Sequence, residues 1–236
     1  MPGDGGPPGG DGGGARTVLL INPNTSSGTT EMMVEIARSA AGGRVVVKGA
    51  TAGRGVPMIV DEEELAASVA EVLDIGRREG RGVSGIVVAA FGDPGLDLLR
   101  GELGVPASGL CEASMREAGA GNRRFGVATV TPGLSGLIGR KATELGFGAL
   151  YTGTRLTAGD PRALAADPAR LETALGGAVE ACIRLDRADA VIIGGGPLGR
   201  AATVLGPRFP VPIIAPIVAA MHDLLRLLDV RNPRRE

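Results

Sequence analysis

From residue 17 onward, short runs of apolar and β-branched residues alternate with longer stretches whose apolar positions recur every three to four residues. Runs of the first kind fit buried strands, and stretches of the second kind fit amphipathic helices. Their regular alternation is the pattern of βαβ units, which build mainly parallel sheets. Strands are predicted at 17–21, 45–48, 85–90, 105–109, 125–130, 151–156, 190–193 and 212–215. Helices are predicted at 28–41, 61–79, 94–100, 112–118, 132–145, 168–185, 197–205 and 217–228.

Eight strands and eight helices fit two lobes, and the chain carries a weak internal echo. The first strand closes on Asn22-Pro23-Asn24-Thr25, a strand midway closes on Thr129-Val130-Thr131-Pro132, and each then opens a helix. The reading is an α/β fold of two similar Rossmann-like lobes with mainly parallel sheets and an inter-lobe cleft. Residues 17–103 with 208–230 are assigned to the first lobe and 104–207 to the second. Residues 1–16 are assigned to a Gly/Pro-rich tail and 231–236 to a short tail. Alternation of this kind is common to α/β chains, so a chance echo is the competing reading.

Composition narrows what such a cleft can hold. The net charge is -1 with 22% charged residues, so no basic face is available for a phosphate backbone and no nucleic-acid partner is expected. Aromatic residues make up 2%, with no Trp and one Tyr, which leaves little for stacking bases or sugars and points to a small polar ligand. Cys111 and Cys182 are the only cysteines, too few for a disulfide framework and without the spacing of a metal site. A reducing cytoplasm is the expected location. Residues 1–16 have too little apolar surface to offset the entropy of ordering and are expected to be disordered. They also lack the apolar core of a secretory signal, and no stretch reaches about 18 uninterrupted apolar residues, so no membrane partner is expected.

In open α/β sheets ligands bind beyond the carboxyl ends of the strands. Four strand-end segments carry suitable groups. They are Asn22, Asn24 and Thr25 after the first strand; Ala90, Phe91 and Gly92 after the third; Thr129 and Thr131 after the fifth; and Gly195 and Gly196 after the seventh. Small residues let backbone approach a ligand, while hydroxyls, amides and helix-terminal N–H groups can cradle an anion. The same residue types are also ordinary turn and cap formers.

Three motifs make a family resemblance specific: Ile21-Asn22-Pro23-Asn24-Thr25-Ser26, Phe91-Gly92-Asp93-Pro94-Gly95-Leu96-Asp97, and Gly109-Leu110-Cys111-Glu112-Ala113-Ser114-Met115. They resemble the hydantoin and allantoin racemase branch of the aspartate/glutamate/hydantoin racemase superfamily, over about residues 17–228. The resemblance implies two α/β lobes, a substrate held between them, no cofactor and no metal, homo-oligomers, and an isomerase mechanism in which two cysteines face each other across the cleft. One of those thiols is implied directly before Phe91 and the other in the turn after the seventh strand. This sequence has Ala90 and Gly195 there. Neither can carry a proton, so a two-thiol racemisation cannot run through those positions.

Other titratable groups are the remaining candidates. Glu112 is the preferred general base, Asp93 the alternative, and Cys111, at a helix start where the local field would lower a thiol pKa, the third. Cys182 sits at helical spacing among apolar residues and reads as core, and His222 and Tyr151 carry no chemical context. Gly194-x-Gly196-x-x-Gly199 formally meets a dinucleotide fingerprint, but the following strand ends without the acidic residue that would hold a ribose. The sequence therefore supports a cofactor-independent enzyme acting on a small carboxylate, cyclic amide or related carbonyl compound through an enolate-like anion, by isomerisation, cyclisation or decarboxylation. A catalytically silent homologue that binds a metabolite or partner, and more remotely a dinucleotide-binding protein, are the alternatives.

Overall fold

A computed structural model describes residues 15–231, the side chain of Arg231 excepted. Most of the two expected tails, residues 1–14 and 232–236, lies outside the described residues. Arg16 does not belong to a tail. Its carbonyl accepts the N–H of Val46 at 2.8 Å, and its guanidinium lies 3.5 Å from Asp229.

Two four-stranded parallel sheets carry the fold. The first runs β2(Val46–Thr51)-β1(Thr17–Asn22)-β3(Gly85–Val88)-β4(Ala107–Gly109), and the second runs β6(Tyr151–Leu156)-β5(Phe125–Thr129)-β7(Ala190–Ile193)-β8(Ile213–Ile214). Every pairing is parallel, and the second order repeats the first position for position. The echo between residues 22–25 and 129–132 is thus a true correspondence of β1 with β5. Central strands β3, β5 and β7 are buried along their whole length, as unbroken apolar runs demand when helices cover both faces of a sheet.

Helices α1(Ser27–Ala41), α2(Glu62–Ala67), α3(Val69–Glu79), α4(Leu96–Leu103) and α5(Leu110–Ala118) belong to the first half of the chain. Helices α6(Ser135–Glu144), α7(Pro161–Ala165), α8(Pro168–Arg184), α9(Gly199–Leu205) and α10(Pro216–Arg231) belong to the second. The helix predicted over 61–79 breaks at Ser68, whose hydroxyl donates to the Leu65 carbonyl at 2.7 Å and competes with the helical ladder. Helix α7, absent from the sequence reading, has its signal in Asp160-Pro161: Asp160 accepts the Ala163 N–H at 2.8 Å and proline takes the first turn.

Alternation along the strands divides the core. Leu19, Ile21, Ile86 and Val88 face α3 and α4, while Val18, Leu20 and Val87 face inward. Ala128, Val191 and Ile193 face α8 and α9, while Phe125, Val127 and Ile192 face inward. The two inward sets share one cluster with Met33, Leu110, Met221 and Leu224, so α1, α5 and α10 fill the space between the sheets. The lobe boundaries differ from 103/104 and 207/208. β4 pairs with β3 and stays in the first sheet, β8 pairs with β7 and stays in the second, and the chain crosses over afterwards, through α5 and α10. The cause is that α4 returns the chain to the free edge of β3, where a parallel strand can complete its hydrogen bonds.

Candidate active site

Strands β1, β3, β5 and β7 end at a common cleft between the lobes. Its walls include Asn24, Ala90, Phe91, Thr131, Gly195 and Gly196. Six of the ten expected substrate-binding residues therefore line one cavity. The other four stand behind it. Asn22 is fully buried, donates through Nδ2 to Asn24 Oδ1 at 2.9 Å and to Thr30 Oγ1 at 3.0 Å, and accepts the Asn24 N–H at 3.2 Å. Thr129 donates to the Gly194 carbonyl at 2.7 Å and sits 3.1 Å from the Thr131 hydroxyl. The Thr25 N–H donates to the Val56 carbonyl at 3.0 Å, and Gly92 packs under Leu65 with a φ of +134 that favours glycine.

These contacts fix what faces the cavity. Asn24 Oδ1 is occupied by Asn22 Nδ2 and by the Ser26 N–H at 2.9 Å, so the side chain presents its amide donors. The single proton of Thr129 goes to the Gly194 carbonyl, which makes Thr131 the donor between the two hydroxyls and leaves oxygen lone pairs for the cavity. Asn24 and Thr131 occupy corresponding places at the ends of β1 and β5. On the turn after Ala90, the N–H groups of Phe91 and Gly92 donate to no other described residue.

The remaining wall is apolar, and the sequence reading missed it: Met58, Ile59, Leu65, Val130, Leu134 and Leu198. Met58 and Ile59 belong to the run Val56-Pro57-Met58-Ile59-Val60, five apolar residues in a segment that is neither helix nor strand. Such a run has to be covered by something, and here the cleft covers it.

The three expected catalytic groups are not in the cleft, and each has a structural occupation. Glu112, buried on α5, takes a bidentate ion pair from Arg100 of α4, one arm at 3.1 Å. Asp93 is buried in a left-handed turn (φ +56) and accepts the N–H groups of Cys111 and Glu112, each at 2.8 Å, so it caps α5 from outside the helix. Burial pushes its carboxyl up to about 7, against the downward pull of those two N–H groups. Cys111 is fully buried in the inner core, and burial pushes its thiol well above the ordinary range. The helix field expected to activate it is outweighed by loss of water. Cys182 is buried between α8 and β5, with its thiol pushed up to about 11 by burial.

The glycine-rich turn is also accounted for by packing. A Cβ on Gly196 would stand 2.9 Å from the Ala89 carbonyl and from Met33 Sδ, and one on Gly199 would stand 2.9 Å from Ile217 and Ile36. Gly195 is different: its φ of 164 is extended, and a Cβ would meet only the side chain of Leu198, at 3.1 Å. Among the described residues no group of three or more His, Cys, Asp or Glu converges as a metal site would require, and no helix is long and apolar enough to cross a membrane.

Two parallel-sheet lobes with a shared core and a strand-end cleft of glycine, amide and hydroxyl groups define a bilobal α/β protein with a cleft between its halves. The Asp/Glu/Hydantoin racemase family model matches residues 18–224, and the chain belongs to that family. It is 29% identical over 208 residues to the hydantoin racemase of Rhizobium meliloti, covering 88% of this chain and 86% of that one. The solved allantoin racemase from Klebsiella pneumoniae has a TM-score of 0.85 at 26% identity, over 92% of this chain and 89% of that one. Arylmalonate decarboxylase shares the fold, with a TM-score of 0.60 at 20% identity over 90% of this chain and 92% of that one.

Proposed function

We propose that this racemase-family protein is a cofactor-independent enzyme that binds a small carbonyl compound at the strand ends and stabilises an enolate-like anion derived from it. We further propose that its reaction is one needing no proton-transferring side chain in the cleft, decarboxylation before isomerisation or cyclisation. The observation that carries this reading is that no residue lining the cleft titrates: its polar groups are the Asn24 amide, the Thr131 hydroxyl and backbone. Inversion at a carbon next to a carbonyl needs a base on one face and an acid on the other. Loss of carbon dioxide needs neither to begin. The bond from the α-carbon to the carboxylate breaks, its electron pair passes into the neighbouring carbonyl as an enolate, and water protonates the α-carbon, leaving hydroxide. N–H and amide donors lower the cost of that developing charge.

A panel of α-substituted malonates and of enantiopure hydantoins and amino acids, assayed in deuterated water for carbon dioxide release and α-deuterium, tests the reading. The expected result is release of carbon dioxide from malonates with one deuterium in the product, reduced about tenfold or more in Asn24→Ala. It should persist in Glu112→Gln. Exchange at the α-carbon of hydantoins at enzymatic rates would overturn it. The same absence of titratable groups favours a second reading, a silent homologue that binds a metabolite. Ligand binding without turnover of any panel member would decide for that reading.

A further inference from the structure

Residues 53–65 form a lip of the first lobe over the cleft, and its fastenings are unequal. Toward its own lobe, the N–H groups of Gly53 and Arg54 donate to Glu71 at 3.0 and 3.2 Å, and Val56 takes the Thr25 N–H at 3.0 Å. At its far end Asp61 accepts the Glu64 N–H at 2.9 Å while Glu64 takes the Val60 N–H at 2.8 Å, the reciprocal arrangement of a capping box shifted by one residue. Toward the second lobe, among the described residues, Met58 packs against the core cluster that holds Val130 and Leu164, and the polar fastenings are one backbone bridge, Asp61 with Gly133, and two ion pairs, Glu62 with Arg140 and Glu64 with Arg162 at 3.7 Å. Arg140 and Arg162 are 57% and 55% exposed, so both pairs are weak and screened by salt.

The lip also plugs the cavity. Ile59 lines the cleft on one side and, on the other, an open surface groove with Pro23, Arg54 and Glu63. The free space in the cleft is about 40 Å³, room for a few waters and too little for an organic carbonyl compound. A ligand can enter only when something parts. Gly133 leaves no room for a side chain on this line: a Cβ there would stand 2.7 Å from the Val60 carbonyl and 2.8 Å from Asp61 Cβ.

We infer that the lip travels with the first lobe as a latched gate. It opens along the line of Gly133, Arg140 and Arg162, and the missing side chain of Gly133 is what allows it to shut. This goes beyond the proposed reaction and holds for an enzyme or a binding protein alike.

The test is the rate at which a small thiol reagent labels a cysteine placed in the cleft wall by Ala90→Cys, since Cys111 and Cys182 are fully buried. Adding Arg140→Ala or Glu62→Gln, or raising the salt, is expected to speed labelling about two- to fivefold. Adding Gly133→Ala is expected to speed it about tenfold or more, because the overlap is with backbone that cannot turn aside. Arg184→Ala, which removes an exposed pair with Glu180 on α8, should leave the rate unchanged. Equal rates in the parent, Arg140→Ala, Glu62→Gln and Gly133→Ala would overturn the gate, as would a rise of the same size in Arg184→Ala. Gly195→Cys serves as the reporter if Ala90→Cys fails to fold. If Gly133→Ala fails to fold, the two surface variants decide.

Discussion

The strand-end cleft and the seam where α4, α5 and α10 meet sort the polar chemistry of this molecule in opposite ways. The cleft is lined by an amide, a hydroxyl and backbone, with no side chain that titrates. The seam holds the buried carboxylates, each with fixed partners: Glu112 with Arg100, Asp93 with two helix N–H groups, and Asp223 with Ser108, Arg116 and Arg226. Burial of an acid next to a strand-end motif is therefore not a sign of catalysis here. The carboxylates tie helices together, and the groups left for a ligand are neutral.

The sharpest way to break this division is Asp223→Ala. It leaves the fully buried Ser108 hydroxyl without its 2.8 Å acceptor and Arg116 without its closest carboxylate oxygen. Denaturant unfolding should show a loss of about 2–4 kcal/mol. A loss near zero would mean the seam is not structural.

Next comes the pH dependence of stability. The Asp93 carboxyl stands at about 7 in the folded chain against an ordinary 3.8, so the folded state keeps a proton that the unfolded chain has released. Its stabilising contribution is complete below about pH 4 and is lost as pH rises toward 7, with a slope of up to about 1.4 kcal/mol per pH unit. Asp93→Asn should flatten that slope in a series of denaturant titrations. An unchanged slope would assign the effect elsewhere.

Smaller effects separate the glycines. Gly196→Ala should cost about 1–3 kcal/mol because its Cβ meets the Ala89 carbonyl, whereas Gly195→Ala, facing a side chain that can shift, should cost less than about 1 kcal/mol. Equal losses in thermal unfolding would remove the distinction between a packed glycine and one with room for a side chain.

The sheets were readable because apolar runs and turn signals have a period, and the period was right for every strand from β1 to β8. The meeting of strand ends at one cavity was readable for the same reason, since strand ends in such sheets converge. The lip was not, because Met58 and Ile59 obey neither period. The occupations of Glu112 and Asp93 were not readable either. Arg100 reaches Glu112 from the preceding helix, and Asp93 meets Cys111 and Glu112 across 18 and 19 positions of chain. Pairings of that kind are made by packing and leave no mark on the local pattern. Ala90 and Gly195, read as two places where thiols are missing, prove to be corresponding positions on the turns after β3 and β7, in one cavity.

The most direct measurement is polarimetry of an enantiopure 5-substituted hydantoin in deuterated water, with the natural chain and with Ala90→Cys/Gly195→Cys. A cleft without proton-transferring groups predicts constant rotation and no α-deuterium for the natural chain, and a measurable decay only once both thiols are supplied. Decay at an enzymatic rate with the natural chain would contradict the account.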